Sequence, residues 1–245
     1  FGVIDADSTC RIQGFVEKPA QPPRMPNDKT RAYASMGNYL FDSTVLREVL
    51  EDAHLRGEKD FGTDILPRLV GTHRLFAYDF LTNVVPGVKP YEESHYWRDI
   101  GTIGAYWQAH SDILGAQPAF DLFNARWPIH CGSYNGPAAK ILDGEVRNTL
   151  VGEGTLIQGA SVRDSVLRRE VVVEKGVELE DCIVMDYCVI GAGSRLRKVI
   201  VDRYNVIPPN TVIGFNRKAD SERYCVDGSG IVIVPVGTRE LDLVY

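Results

Sequence analysis

The 245 residues are 44% apolar and 24% charged, the balance of a globular protein, and no run reaches the ~18 apolar residues that a membrane span needs. A net charge of −6 argues against a broad basic face for nucleic acid, though not against a local pocket for phosphates. The five scattered cysteines (Cys10, Cys131, Cys182, Cys188, Cys225) form no C-x-x-C pair and read as reduced thiols of a cytoplasmic protein.

The opening Phe1-Gly2-Val3-Ile4-Asp5 has no initiator Met, basic segment or cleavage site. It reads as a strand in progress, with the chain starting inside a domain. A second strand is predicted over 11–17, after the polar turn Asp7-Ser8-Thr9, and a third over 35–41. Asp42-Ser43 is placed to cap a helix over 44–54, where Val45, Leu46, Val49 and Leu50 have helical spacing. A short helix broken at Pro67 is predicted over 64–70, a strand over 75–81, and a helix packed on a sheet over 102–114. Strands alternating with helices predict an α/β domain over residues 1–115. Residues 116–137 are rich in Pro and Gly yet hold Phe120, Phe123 and Trp127. They read as a packed linker, because a flexible one would be poor in aromatics.

Past residue 150 the helical pattern stops. Fragments led by Val151, Val173, Ile190 and Ile207 recur, each followed six residues later by another apolar residue: Ile157, Leu179, Leu196 and Ile213. The leads are 22, 17 and 17 residues apart. A β-sandwich with regular turns is the alternative. The paired six-residue spacing favours a hexapeptide-repeat β-helix over residues 138–245, each coil burying apolar side chains by stacking on the next.

Four strings in the first half carry chemistry: Phe1-Gly2-Val3, Val16-Glu17-Lys18-Pro19, Ala34-Ser35-Met36-Gly37-Asn38-Tyr39 and Tyr96-Trp97-Arg98-Asp99-Ile100-Gly101-Thr102. Each alone also fits a surface ion pair, a close-packed glycine or a structural salt bridge. In this order, with Arg126-Trp127-Pro128-Ile129 at the junction and the repeats behind, the chain resembles the bacterial-type glucose-1-phosphate adenylyltransferase family over its whole length.

The resemblance implies an α/β nucleotidyltransferase-like domain lacking its N-terminus, then a left-handed parallel β-helix, an exception to the usual right-handed crossover. It implies ATP and glucose 1-phosphate as substrates, Mg2+ as cofactor, a homotetramer and phosphorylated metabolites as effectors. It places the family's glycine-rich nucleotide loop and a second metal aspartate before Phe1, so these 245 residues alone are expected to make no ADP-glucose. Lys18 matches the lysine that holds the sugar phosphate, a task suited to a compact ammonium. Glu17 matches an acceptor for sugar hydroxyls, Ser35 a further sugar-site residue, and Gly2 a glycine that lets the backbone approach the sugar. Asp99 matches a carboxylate that binds magnesium, with Trp97 and Arg98 shaping its loop. In the repeats, Arg203 and Arg223 are the candidates for an effector site among Arg195, Arg197, Lys198, Arg217 and Lys218. The bland reading of these cations is solvated corners.

Three rivals stand beside this reading. A hexapeptide acyltransferase typically needs a histidine base on the β-helix, and no histidine follows His130. A non-catalytic regulatory subunit is disfavoured by the intact motifs. A pyrophosphorylase for another base or sugar is the third: the part before Phe1 would decide the base, so the adenine assignment rests on the resemblance.

Overall fold

The computed structural model describes residues 2–130 and 132–238, so Phe1, Cys131 and residues 239–245 lie outside it. The chain forms two compact units, Phe1–Val84 and Val85–Tyr245.

In the first unit, β1 (Gly2–Ala6) pairs antiparallel with β2 (Ile12–Glu17) and with the short β3 (Tyr33–Ala34). The strand predicted over 35–41 does not form. The Ser35 amide still donates to the Gly2 carbonyl, but Gly37 at φ 73° turns the chain away from an extended path. Helix α1 (Ser43–Arg56) is bounded as its local sequence dictates. Asp42 accepts from the Thr44 and Val45 amides, and Gly57 closes the helix at φ 73°. Its buried face is Val49 and Ala53, packed on Ile65 and Leu69, with Val45 beside them. Leu50 is 43% exposed.

The helix predicted over 64–70 begins earlier. Phe61–Ile65 is π-helical, capped by Asp60, and runs into α2 (Leu66–Leu69). Pro67 sits where α2 takes over from the π-helical turn, and its missing N–H ends the ladder that runs through the Leu66 amide to the Phe61 carbonyl. The strand predicted over 75–81 is reduced to one bridge, Arg11 with Phe76, before a 3-10 turn at Phe80–Thr82.

The second unit carries α3 (Ile103–Ser111), capped by Thr102, and a parallel β-solenoid. Wall one stacks β5 (Leu150–Val151), β7 (Val166–Leu167), β10 (Ile183–Val184), β13 (Val199–Val201) and β17 (Val232–Val234). The long β4 (Lys140–Arg147) and β6 (Leu156–Arg163) bend round a corner and serve the other two walls. Wall two continues through β8 (Val172–Val173), β11 (Val189–Ile190) and β14 (Val206–Ile207). Wall three continues through β9 (Glu178–Glu180), β12 (Arg195–Arg197) and β15 (Val212–Ile213). Before β17 the chain detours through α4 (Arg217–Ser221) and β16 (Cys225–Val226).

Register partners lie one coil apart, 16 or 17 residues: Leu150 with Val166, Val166 with Ile183, Ile183 with Ile200. Val151 partners Leu167 on wall one, whereas Val173, Ile190 and Ile207 stack on wall two above Ile157. The 22-residue spacing therefore spans one coil plus one wall. Neighbouring walls open on the same apolar pattern, so sequence alone confuses them. Each corner repeats a left-handed residue: Gly154, Glu170, Tyr187 and Tyr204; Gly159, Gly176, Gly193 and Asn210; Asn148, Asp164, Asp181 and Lys198. The inward residues form one core, including Ile157, Leu179, Ile190, Leu196 and Ile213, with Cys182 and Cys188 among them.

Within the same unit, residues 117–124 fold onto 86–96. The buried Asp121 carboxylate accepts from Lys89 Nζ, Tyr91 Oη and the Phe123 amide, and Phe120 stacks on Tyr96 at 4.9 Å.

Candidate functional site

Four of the sequence-predicted residues meet at one end of the β1–β2 ladder. Gly2 lies directly opposite Glu17, and the Ser35 amide reaches the Gly2 carbonyl at 2.8 Å. Lys18 follows Glu17, and its Nζ stands 3.8 Å from Glu17 Oε1. The lysine side chain is 76% exposed, so the ammonium is presented to solvent. Lys18 has φ 45°, a left-handed conformation that costs a non-glycine residue roughly 1–2 kcal/mol. Strain of this kind concentrates where a side chain must be aimed.

Gly2 has a local reason as well. A Cβ there would fall 2.5 Å from the Phe15 ring and 3.0 Å from a Glu17 carboxylate oxygen. A Cβ on Gly62 would likewise fall 3.7 Å from this ring, which therefore lies between the ladder and the π-helical turn. Ser35 Oγ lies 3.1 Å from Tyr39 Oη and accepts from the Gly37 amide at 3.3 Å. Tyr39 stacks on Phe61 with centroids 5.7 Å apart. Asp60 caps the turn through the Gly62 and Thr63 amides, and Asp64 accepts from the Lys59 and Asp60 amides. These amide donors hold both carboxyls below the usual aspartate range, led by the Thr63 amide for Asp60 and the Lys59 amide for Asp64. Phe15 and Phe61 escaped the sequence reading, and Tyr39 entered it only as the last residue of its string. The available signal was the string Asp60-Phe61-Gly62-Thr63-Asp64, whose two acids bracket a turn, and π-helical turns recur at functional sites.

Asp99 belongs to the second unit. Its exposed carboxylate accepts one bond, from the Gly101 amide at 3.2 Å. Among the described residues no group of three His, Cys, Asp or Glu side chains is arranged to hold a metal. A single carboxylate nonetheless suits magnesium, which takes oxygen ligands and fills its sphere with phosphates and water. Arg98 turns the other way, into the fold. Its guanidinium holds both Glu93 oxygens, at 2.9 and 2.5 Å, and Asp112 at 2.7 Å, over the Tyr96 ring. Burial first, then the Asp112 charge, pushes the Tyr96 phenol up to about 12.

On the solenoid, Arg203 occupies the corner between β13 and β14. Its side chain is 50% exposed, with Nε 3.7 Å from Asp202. The next residue, Tyr204, stacks on Tyr187 at 5.5 Å. Arg223 follows α4 and lies over Tyr224 at 5.5 Å. Several of the other cations have local partners. Arg195 and Arg197 flank Phe215, Lys198 Nζ donates to the Ser229 carbonyl, and Arg217 donates to the Asp227 carbonyl.

No helix among the described residues is long and apolar enough to cross a membrane. Residues 1–115 match the family described as nucleotidyl transferase, and residues 137–234 match the GlmU-like C-terminal hexapeptide family. A glucose-1-phosphate adenylyltransferase of Thermodesulfovibrio yellowstonii is 46% identical over 243 residues, 99% of this chain and 59% of that protein. Those of Corynebacterium jeikeium and Photobacterium profundum are 40% and 39% identical, over 96% and 98% of this chain and 58% and 60% of theirs. The chain thus spans about three-fifths of the length of these curated relatives.

Proposed function

We propose that the chain belongs with the glucose-1-phosphate adenylyltransferases it resembles, and that its residues serve the transfer of an adenylyl group from ATP to glucose 1-phosphate. A phosphate oxygen of the sugar phosphate attacks the α-phosphorus of ATP. A new P–O bond forms, the α–β bond breaks, and pyrophosphate leaves with its electron pair. The product, ADP-glucose, is the donor for glycogen synthesis.

The observation that supports this most is the meeting of Gly2, Glu17, Lys18 and Ser35 at one strand end. Two anions must be brought together, so positioning and charge neutralisation dominate. Lys18, exposed and aimed by its strained backbone, holds the sugar phosphate. Glu17 accepts from sugar hydroxyls, Ser35 donates to the sugar, and Gly2 keeps the floor of the site low. In the second unit Asp99 is the magnesium ligand. A bound magnesium ion supplies charge neutralisation on the phosphates. Arg203 and Arg223 serve a site for phosphorylated effectors on the solenoid. The domain assignment is 1–115 catalytic, 116–137 linker and 138–245 for regulation and assembly into a homotetramer, in the cytoplasm.

The test is pyrophosphate release by the full-length protein with magnesium, glucose 1-phosphate and each nucleoside triphosphate in turn. ATP should be preferred at least tenfold in kcat/KM, about 1.4 kcal/mol of discrimination. Equal use of UTP or dTTP would replace the adenylyl assignment with another sugar-nucleotide pyrophosphorylase. Asp99→Asn should cut kcat strongly and leave Tm nearly unchanged, because among the described residues its carboxylate accepts from the Gly101 amide alone.

A further inference from the structure

Asp99 is exposed and lightly held by its own side chain, yet both ends of its loop are fastened to one helix. At the far end, Thr102 Oγ1 accepts from the Ala105 amide at 3.1 Å and starts α3. At the near end, Arg98 reaches Asp112, the residue that caps the C-terminus of the same helix. The clasp is over-determined. Tyr96 Oη also donates to Asp112, Gln108 Nε2 donates to its other oxygen, and Glu93 takes the remaining guanidinium edge. A planar guanidinium shared between two carboxylates and laid on a tyrosine ring has little freedom to rotate.

The helix is fastened in turn. Tyr106 and Trp107 pack on Ile183, Ile200 and Ile231, the outward residues of wall one and its flank. Trp107 Nε1 donates to the Asp181 carbonyl at 3.4 Å, and Tyr106 Oη lies 3.7 Å from Met185 Sδ. The sequence thus runs Arg98, Asp99, Thr102, Trp107, Asp112 through a single closed circuit that ends on the solenoid.

We propose that α3 is a strut that fixes the Asp99 loop to the solenoid wall, with Arg98 and Trp107 as positioning residues for the Asp99 carboxylate. The consequence for metal binding rests on the reading of Asp99 as the magnesium ligand. The consequence for loop order does not. Groups that orient a metal ligand from behind are worth about tenfold or more in metal affinity when removed.

The experiment compares the parent full-length protein with Arg98→Gln and Trp107→Ala. Amide hydrogen exchange over 95–101 is measured without metal. The magnesium concentration at half-maximal rate, and the calorimetric Kd for glucose 1-phosphate, are measured alongside. Both variants should exchange about tenfold faster over 95–101 and need about tenfold more magnesium, with the sugar-phosphate Kd within twofold. Arg98→Lys, which keeps the charge and loses the fork, should move in the same direction by less, and Trp107→Phe likewise through loss of the indole donor. These two carry the test if the larger changes prevent folding. Unchanged exchange over 95–101 in the arginine variants overturns the strut. Faster exchange confined to α3 in the tryptophan variants overturns the link to the wall. If Asp99→Asn leaves the magnesium requirement unchanged, the metal assignment fails, while the exchange data still decide the strut.

Discussion

The Phe15 ring occupies the space that any side chain at position 2 would need: a Cβ on Gly2 would lie 2.5 Å from two of its carbons. The ring also borders Gly62, so one aromatic side chain sets the spacing between the ladder and the turn that holds Asp60. Gly2→Ala should therefore destabilise the first unit by about 1–3 kcal/mol, the usual cost of overpacking. Thermal melts of Gly2→Ala, alone and with Phe15→Leu, check this. The second change should restore part of the loss, and a double mutant no better than the single would remove Phe15 as the cause.

Lys18→Ala should raise the KM for glucose 1-phosphate far more than that for ATP. A hydrogen bond to a charged group is worth about 1.5–3 kcal/mol, which corresponds to a rise of roughly 10- to 100-fold. Steady-state kinetics with each substrate varied in turn decide it. Equal rises in both constants would assign Lys18 to folding, through its 3.8 Å pair with Glu17, rather than to the phosphate.

Arg203→Ala should shift the response to at least one phosphorylated effector through a coupling energy of about 1–3 kcal/mol. The change should fall on the effector's half-saturation and not on the effector-free rate. Titrations with AMP, phosphate and fructose bisphosphate on both proteins are the measurement. Superimposable curves for every effector would leave Arg203 as a solvated corner paired with Asp202.

The two core thiols give a pH prediction. Burial pushes Cys182 up to about 12 and Cys188 up to about 11, from an ordinary 9.0. A raised folded value means that the neutral thiol is favoured in the fold. Their contribution is whole below pH 9 and is lost as the pH climbs toward 11–12. Urea melts between pH 8 and 11 should show stability falling, and serine at either position should flatten the fall. At pH 8 the exposed Cys225 should react readily with a thiol reagent. The two buried thiols should react about a thousandfold more slowly, at the rate set by unfolding.

What was legible in sequence was local. The Asp42 cap was legible because it is satisfied within three residues, while Gly57 and Thr102, which close and open their helices, were not read as caps. The repeat was legible because every coil buries the same kind of side chain at the same interval. The strand over 35–41 failed at Gly37, whereas the helix over 64–70 is present but starts three residues early, because Asp60 caps a π-helical turn ahead of it. The Arg98 clasp joins residues 93 and 112, and Phe15 lies between positions 2 and 62. Such partners are far apart along the chain, and no spacing rule reaches them.

The repeating left-handed corners limit how the gene for this region can change length. Removing one residue just ahead of Gly176 or Gly193 would set the buried Val177 or Ser194 at the left-handed position and disturb the inward alternation of the wall that follows. Excising the seventeen residues from one of these glycines to the next keeps every corner in place. Insertions and deletions in the solenoid should therefore survive as whole coils. The stretch beneath α3 is the exception, because Trp107 and Tyr106 span Ile183 and Ile200 on adjacent coils, and a new coil between those two would pry the helix from its seat.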